Sequence, residues 1–195
     1  VQIPFTLFYF IFPLTMMIAG GFLPKIGPRI SAMAGGLLFG GGWLLAGLGS
    51  QSFAFTMLGI GGMAGIGAGM AYIVPIAVCI RWFPRSQGLV TGIAVAGFGA
   101  GAFFFAPLAR ALVSGGYYQL FGINLFPLPQ LGVFNTFMAL GVIFLIAVVL
   151  GSQLLKNPPA GYSPPGWTPP APAPGAAAVK TDYTPSEMLK TPVFW

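Results

Sequence analysis

Three aromatic side chains with polar ends, one isolated arginine and two doubly basic turns carry what chemistry this sequence has to offer. Tyr72, Trp43 and Tyr9 lie inside long apolar runs, and Arg110 stands alone near the end of another. Lys25 with Arg29, and Arg81 with Arg85, form the basic turns. Both acids, Asp182 and Glu187, fall in the last fifteen residues, and there is no histidine. The apolar part therefore has no carboxylate and no imidazole. That removes most metal sites and the carboxylate or histidine relays common in pumps. No catalytic triad or carboxylate pair can be assembled, so no enzyme, no metal and no cofactor is expected. What remains is hydrogen bonding from aromatic groups and attraction of an anion by fixed cations.

These groups need elements to hold them, and composition names the kind. Charged residues make up 5% of the chain and apolar ones 56%, against about 25% charged in a soluble domain. The expected fold is an all-α membrane protein, a polytopic helix bundle. Five apolar runs, uncharged but for Arg110 near the end of the fourth, exceed or approach the roughly 20 residues that span a bilayer core of about 30 Å. They predict helices over about 4–23, 30–49, 53–80, 86–113 and 131–155, making 1–156 the membrane part. Pro13 should kink the first. Gly20 to Arg29 reads as a tight, doubly basic turn. The aromatic loop 114–130 fits the bilayer edge, and a short amphipathic piece and a re-entrant piece both fit it. The lone Cys79 reads as a small packing residue.

Rise per residue sets depth. Tyr72 is eleven residues from Phe83, about 16 Å at 1.5 Å per residue, which places it near the midplane. A hydroxyl there either bonds a neighbouring helix or faces a polar cavity. Trp43 and Tyr9 reach similar depths and are the other cavity candidates. Arg110 is twenty-six residues from Pro84, about 39 Å along a helix, so it should reach the outer interface. It is either an anchor there or a cation at an outer vestibule.

Small residues recur where helices must pack. Gly61, Gly65 and Gly69 stand four apart, as do Gly97 and Gly101, and Gly36 with Gly40. Such spacing lets backbones approach closely in lipid, where packing drives association. Gly61–Gly69 is no nucleotide loop, since no strand precedes it.

Basic residues set orientation. The turns at 24–29 and 81–87 and the tail from 156 to 195 carry Lys25, Arg29, Arg81, Arg85 and Lys156, and are expected on the cytoplasmic face. Residues 157–195 are rich in proline and read as a cytoplasmic linker, with Thr184–Lys190 as a short surface helix. Five spans that begin by entering the cytoplasm imply an earlier span, so a longer polypeptide is expected.

The turns and tail resemble a known family. Gly27-Pro28-Arg29 is similar to the loop between the second and third helices of major facilitator transporters, with Pro24 where those carry Asp. Arg81-Trp82-Phe83-Pro84, Gly97-Phe98-Gly99-Ala100-Gly101 with Ala106-Pro107-Leu108, Asn157-Pro158-Pro159-Ala160-Gly161-Tyr162 and Glu187-Met188-Leu189-Lys190-Thr191-Pro192 together resemble the oxalate/formate antiporter family of that superfamily. The resemblance implies helices two to six of twelve and the central loop, with Trp195 opening helix seven. It implies exchange of small organic anions at the midplane between two rocking halves. Aromatic residues of the first half would line the cavity, Tyr72 foremost, and the main cationic partners would belong to the second half. The expected partners are thus a small carboxylate, the lipid bilayer and the remaining helices, with no nucleic acid, in a plasma or inner membrane. Two rival readings stand beside it: another porter of the superfamily, for monocarboxylates, sugars or drugs, and a structural membrane subunit that moves nothing.

Overall fold

A computed structural model of the chain describes residues 2–49, 52–159, 162, 164 and 190. Contacts divide it into two units, Val1–Tyr162 and Ser163–Trp195. Every helix and strand described below lies in the first. The expected helix at Thr184–Lys190, the two acids, Trp195 and most of the proline-rich segment fall outside the described residues.

Five helices are long and apolar enough to cross a membrane. They are α1 (Ile3–Ile26), α2 (Pro28–Leu48), α3 (Phe53–Trp82), α4 (Gln87–Ser114) and α5 (Gly132–Leu154). Between α4 and α5 lie two antiparallel strands, β1 (Gly116–Leu120) and β2 (Ile123–Leu128). Pro4 and Pro28 sit in the first turns of α1 and α2, where a missing N–H leaves no bond unmade.

One expectation needs correction, and one open element takes a definite form. The turn expected over Gly20–Arg29 is far shorter, because α1 continues through Pro24 to Ile26. A helical proline crowds the carbonyl four residues back, and here that residue is Gly20. The chain turns only at Gly27, whose φ of 86° and ψ of 158° suit glycine. The loop 114–130, whose sequence fits both a short amphipathic piece and a re-entrant piece, is built from paired strands. It is a hairpin turning at Phe121 and Gly122, with φ of 52° and 78°. Positive φ at both central residues matches the right-handed twist of paired strands.

α2 is the axis of the bundle, and glycine explains why. A Cβ on Gly35 would stand 2.6 Å from the Ala71 nitrogen of α3, and one on Gly42 would stand 2.7 Å from the Ala64 nitrogen. The other side meets α5: a Cβ on Gly36 would stand 2.7 Å from Val148 Cγ1, and one on Gly40 would stand 2.9 Å from the Gly141 oxygen. Helices this close need both backbones bare. α3 in turn lies against α1 along Gly61, Gly65 and Gly69, which face Leu7, Ile11 and Phe12. Part of α3, Met57–Ala64, is wound as a π-helix.

The two most deeply buried hydroxyls are satisfied within their own helix, as a membrane interior requires. Thr136 donates to the Gly132 carbonyl at 2.6 Å and Ser152 to that of Val149 at 2.7 Å. α4 is the least enclosed helix, with only Ala111 and Leu112 buried. A Cβ at Gly97 or Gly101 would meet nothing within 4 Å. The packing role expected of these two is therefore not seen among the described residues, whose α4 reaches its neighbours through phenylalanines instead.

Candidate functional site

Tyr72 sits where three helices meet. Its ring centroid is 5.5 Å from that of Phe12 on α1 and 5.1 Å from that of Phe98 on α4. Phe12 and Phe98 are themselves 6.0 Å apart and nearly parallel, at 22°. Tyr72 meets both at tilted or edge-on angles, which aromatic pairs prefer. The cluster continues along α1: Phe8 stacks on Phe12 at 6.1 Å, and Tyr9 meets Phe8 and Phe5 at 5.5 and 4.6 Å. Phe5, Phe8 and Phe12 stand at helical spacings of three and four, so they share a face. Tyr9 is 50% exposed and forms the outer part of the same group.

The hydroxyls differ in their fates. Among the described residues Tyr118 is the tyrosine whose hydroxyl finds a protein acceptor, the Phe104 carbonyl at 3.2 Å. That of Tyr72 finds none. Pro75 lies one turn beyond Tyr72 inside α3, and having no N–H it leaves the Ala71 carbonyl without its helical donor. A hydroxyl and a freed carbonyl thus lie close together in sequence on α3 at membrane depth.

Trp43 does not join Tyr72 and Tyr9. It stands in the α2–α5 seam, with Phe39 at 6.4 Å, Phe137 at 5.6 Å and Phe144 at 5.3 Å. Its Nε1 is buried with no hydrogen-bond partner among the described residues. Phe105 of α4 packs on Phe144 at 4.9 Å. The chain therefore has two aromatic groups, one around Tyr72 and one around Trp43, and α4 touches both through Phe98 and Phe105. Phe12 and Phe98 were not among the residues anticipated from sequence. The signal for Phe12 was the i, i+4 repeat with Phe8; for Phe98 there was none, because nothing local says which face of α4 meets α3.

Charge is segregated by end. Leu23, Val78, Trp82 and Leu155 pack around one core, which also holds Ala32 and Val74. This puts the end of α1, the end of α3 and the end of α5 at one end of the bundle. Lys25, Arg29, Arg81, Arg85 and Lys156 flank those ends. Arg110 is exposed in the last turns of α4. Beside it opens a cavity of about 710 Å³, lined by Pro107, Arg110, Ser114 and the hairpin residues Tyr117 and Gln119 among others. This cavity is distant from Tyr72 along α4. The Tyr72 group lies on an open face of α1, α3 and α4 rather than in an enclosure. No aspartate, glutamate or histidine is found among the described residues.

Five membrane-length apolar helices make this a multi-pass membrane protein. The chain belongs to the Major Facilitator Superfamily, whose family model matches residues 1–195. It is 30% identical over 176 residues to an oxalate:formate antiporter from Oxalobacter formigenes, covering 90% of this chain and 36% of that protein. It is 26% identical over 178 residues to the uncharacterized MFS-type transporter YhjX of Escherichia coli, covering 91% of this chain and 38% of that one. Over 90 residues it is 37% identical to monocarboxylate transporter 13 of Bos taurus, covering 46% of this chain and 21% of that protein. The chain thus spans little more than a third of the length of the first two relatives.

Proposed function

We propose that this chain is part of a secondary transporter that exchanges small carboxylate anions such as oxalate and formate by alternating access. The observation that carries the reading is Tyr72, its ring beside those of Phe12 and Phe98 and its hydroxyl, at membrane depth, without a protein acceptor among the described residues. An anionic solute is an acceptor, and a membrane part free of carboxylates does not repel it. The flat rings of Phe12 and Phe98 offer their edges, which carry the positive end of the ring quadrupole. Similarity over 90% of the chain to an oxalate:formate antiporter supports the same substrate class.

In this reading α1, α3 and α4 present the Tyr72 face to the other half of the transporter. Tyr9 lies on the approach to it. Trp43 belongs to the scaffold rather than the cavity, given its place between α2 and α5. Arg110 supplies a cation at the outer mouth and raises the local concentration of anions. The basic turns at Lys25, Arg29, Arg81 and Arg85 lie on the cytoplasmic face, with the segment from 157 to 195 as the loop between halves.

The test is counterflow of labelled oxalate and formate into proteoliposomes holding the full-length protein that contains this chain. Uptake that requires internal carboxylate is expected. A protein that is folded and inserted yet takes up neither solute would overturn the substrate assignment. A second reading, a monocarboxylate porter, draws on the 37% identity to monocarboxylate transporter 13. Uptake of a labelled monocarboxylate in place of oxalate would favour it, and a stable complex without any flux would favour a structural subunit.

A further inference from the structure

At the basic end, the last turn of α3 grips the segment that follows α5. The indole Nε1 of Trp82 donates to the Lys156 carbonyl at 2.7 Å. The Arg81 guanidinium donates to Asn157 Oδ1 at 3.2 Å. The Tyr162 ring meets the Trp82 ring at 5.0 Å and 61°, and the Tyr162 nitrogen donates back to the Pro159 carbonyl at 3.1 Å. Trp82 and Leu155 both rest on the core formed by Leu23, Ala32, Val74 and Val78.

These contacts differ from incidental surface packing in three ways. They join residues more than seventy positions apart. They use a donor-only indole and a guanidinium, neither of which finds a carboxylate among the described residues. And they hold a segment that is stiff by composition, since Pro158 and Pro159 fix φ and contribute no N–H.

We infer that Arg81, Trp82, Asn157 and Tyr162 form a clasp that positions the linker for transport. It locks the ends of α3 and α5 and the start of the segment that follows α5 into one body. This rests on the transporter reading above. The clasp residues are positioning residues: none lies near Tyr72, so they act on the rate at which the halves rock and not on solute binding.

The experiment uses the full-length protein in proteoliposomes. Trp82→Phe keeps the ring against Tyr162 and removes the N–H. Asn157→Leu removes the acceptor of Arg81, and Asn157→Asp restores one. Loss of one such hydrogen bond corresponds to roughly a two- to tenfold effect. We expect the maximal exchange rate to fall by that factor in Trp82→Phe and Asn157→Leu, with KM unchanged, and Asn157→Asp to recover it. Unchanged maximal rates in both variants, or a rise in KM alone, would overturn the clasp as a positioning device. A second arm needs no solute. In a background with Cys79→Ser and no other reactive cysteine, the pair Arg81→Cys and Asn157→Cys should be joined by a short bis-methanethiosulfonate reagent, each thiolate displacing methanesulfinate to form a disulfide, in the resting protein. Exchange should persist once they are joined, because the clasp moves as one body. Failure to cross-link, or loss of exchange on cross-linking that reductant reverses, would overturn it. If the full-length protein moves neither oxalate nor formate, the cross-linking yield still decides whether the clasp exists, so the two failures are distinct.

Discussion

A Cβ placed on Gly69 would stand 2.6 Å from the Phe12 carbonyl oxygen, and the Phe12 ring lies 5.5 Å from the ring of Tyr72, three residues along the same helix. The close approach of α1 to α3 and the placing of the aromatic cluster are therefore one arrangement. What holds the backbones together at Gly69 also sets the distance between the rings.

Gly69→Ala should accordingly act twice. Forcing a methyl into this contact should cost about 1–3 kcal/mol of stability, read as a lower unfolding midpoint in detergent. It should also raise KM for the transported anion, because Phe12 is pushed away from Tyr72. Gly97→Ala, where a Cβ meets nothing, should stay within about 0.5 kcal/mol. A loss at Gly97 equal to that at Gly69 would mean that another element covers that face in the full-length protein.

Tyr72→Phe removes only the hydroxyl. Losing a single hydrogen bond to the solute is worth about 1 kcal/mol, so KM should rise roughly fivefold while the unfolding midpoint holds. Tyr72→Ala should raise KM further and also loosen α4, which leans on this ring through Phe98. Kinetics identical to wild type in both variants would remove Tyr72 from the cavity.

Trp43 should respond in the opposite way. Its ring fills the α2–α5 seam against Phe137 and Phe144, so Trp43→Ala should cost about 3–5 kcal/mol. Trp43→Phe keeps most of the volume and discards an indole N–H that is buried without a partner, so its cost should stay below about 1.5 kcal/mol. KM should not change in Trp43→Phe. A large KM effect there would put Trp43 back beside the solute.

Arg110→Gln should matter only at low salt. In the proposed role the arginine acts on approaching anions through space, and such attraction fades once the Debye length falls to about 8 Å near 0.15 M ionic strength. Initial uptake should drop severalfold at about 0.01 M and match wild type above about 0.3 M. A deficit independent of salt would point instead to a direct contact or a folding defect.

The helices are legible in the sequence because lipid imposes a simple rule: long uncharged runs, bounded by basic or polar turns. Their ends are less so. α1 runs on past Leu23 through Pro24 and turns only at Gly27, whose positive φ ends it. The hairpin was hidden because its turn uses Phe121 where asparagine or glycine would have announced it. For the site, Tyr72 stood out as a polar ring in an apolar run, but its company did not. Phe12 and Phe98 are two of nineteen phenylalanines, and only the packing of α1 and α4 selects them. Trp43 and Tyr72 reach similar depths by residue count, yet depth says nothing of azimuth, and α2 and α3 turn these side chains to different seams. The clasp residues were visible as two motifs far apart in the chain, with no local feature linking them.

The two-sided glycine face of α2 also governs the order in which the protein can be made. α2 is complete at Leu48, and its second neighbour begins only at Gly132, about 84 residues later. At roughly 5–20 residues per second, the ribosome needs about 4–17 s to deliver α5. For that interval α2 stands in the bilayer with Gly36, Gly40 and Gly47 uncovered, a bare backbone stripe facing lipid or whatever insertion machinery shelters it. The most enclosed of the five helices is thus one that stands half-covered until α5 arrives.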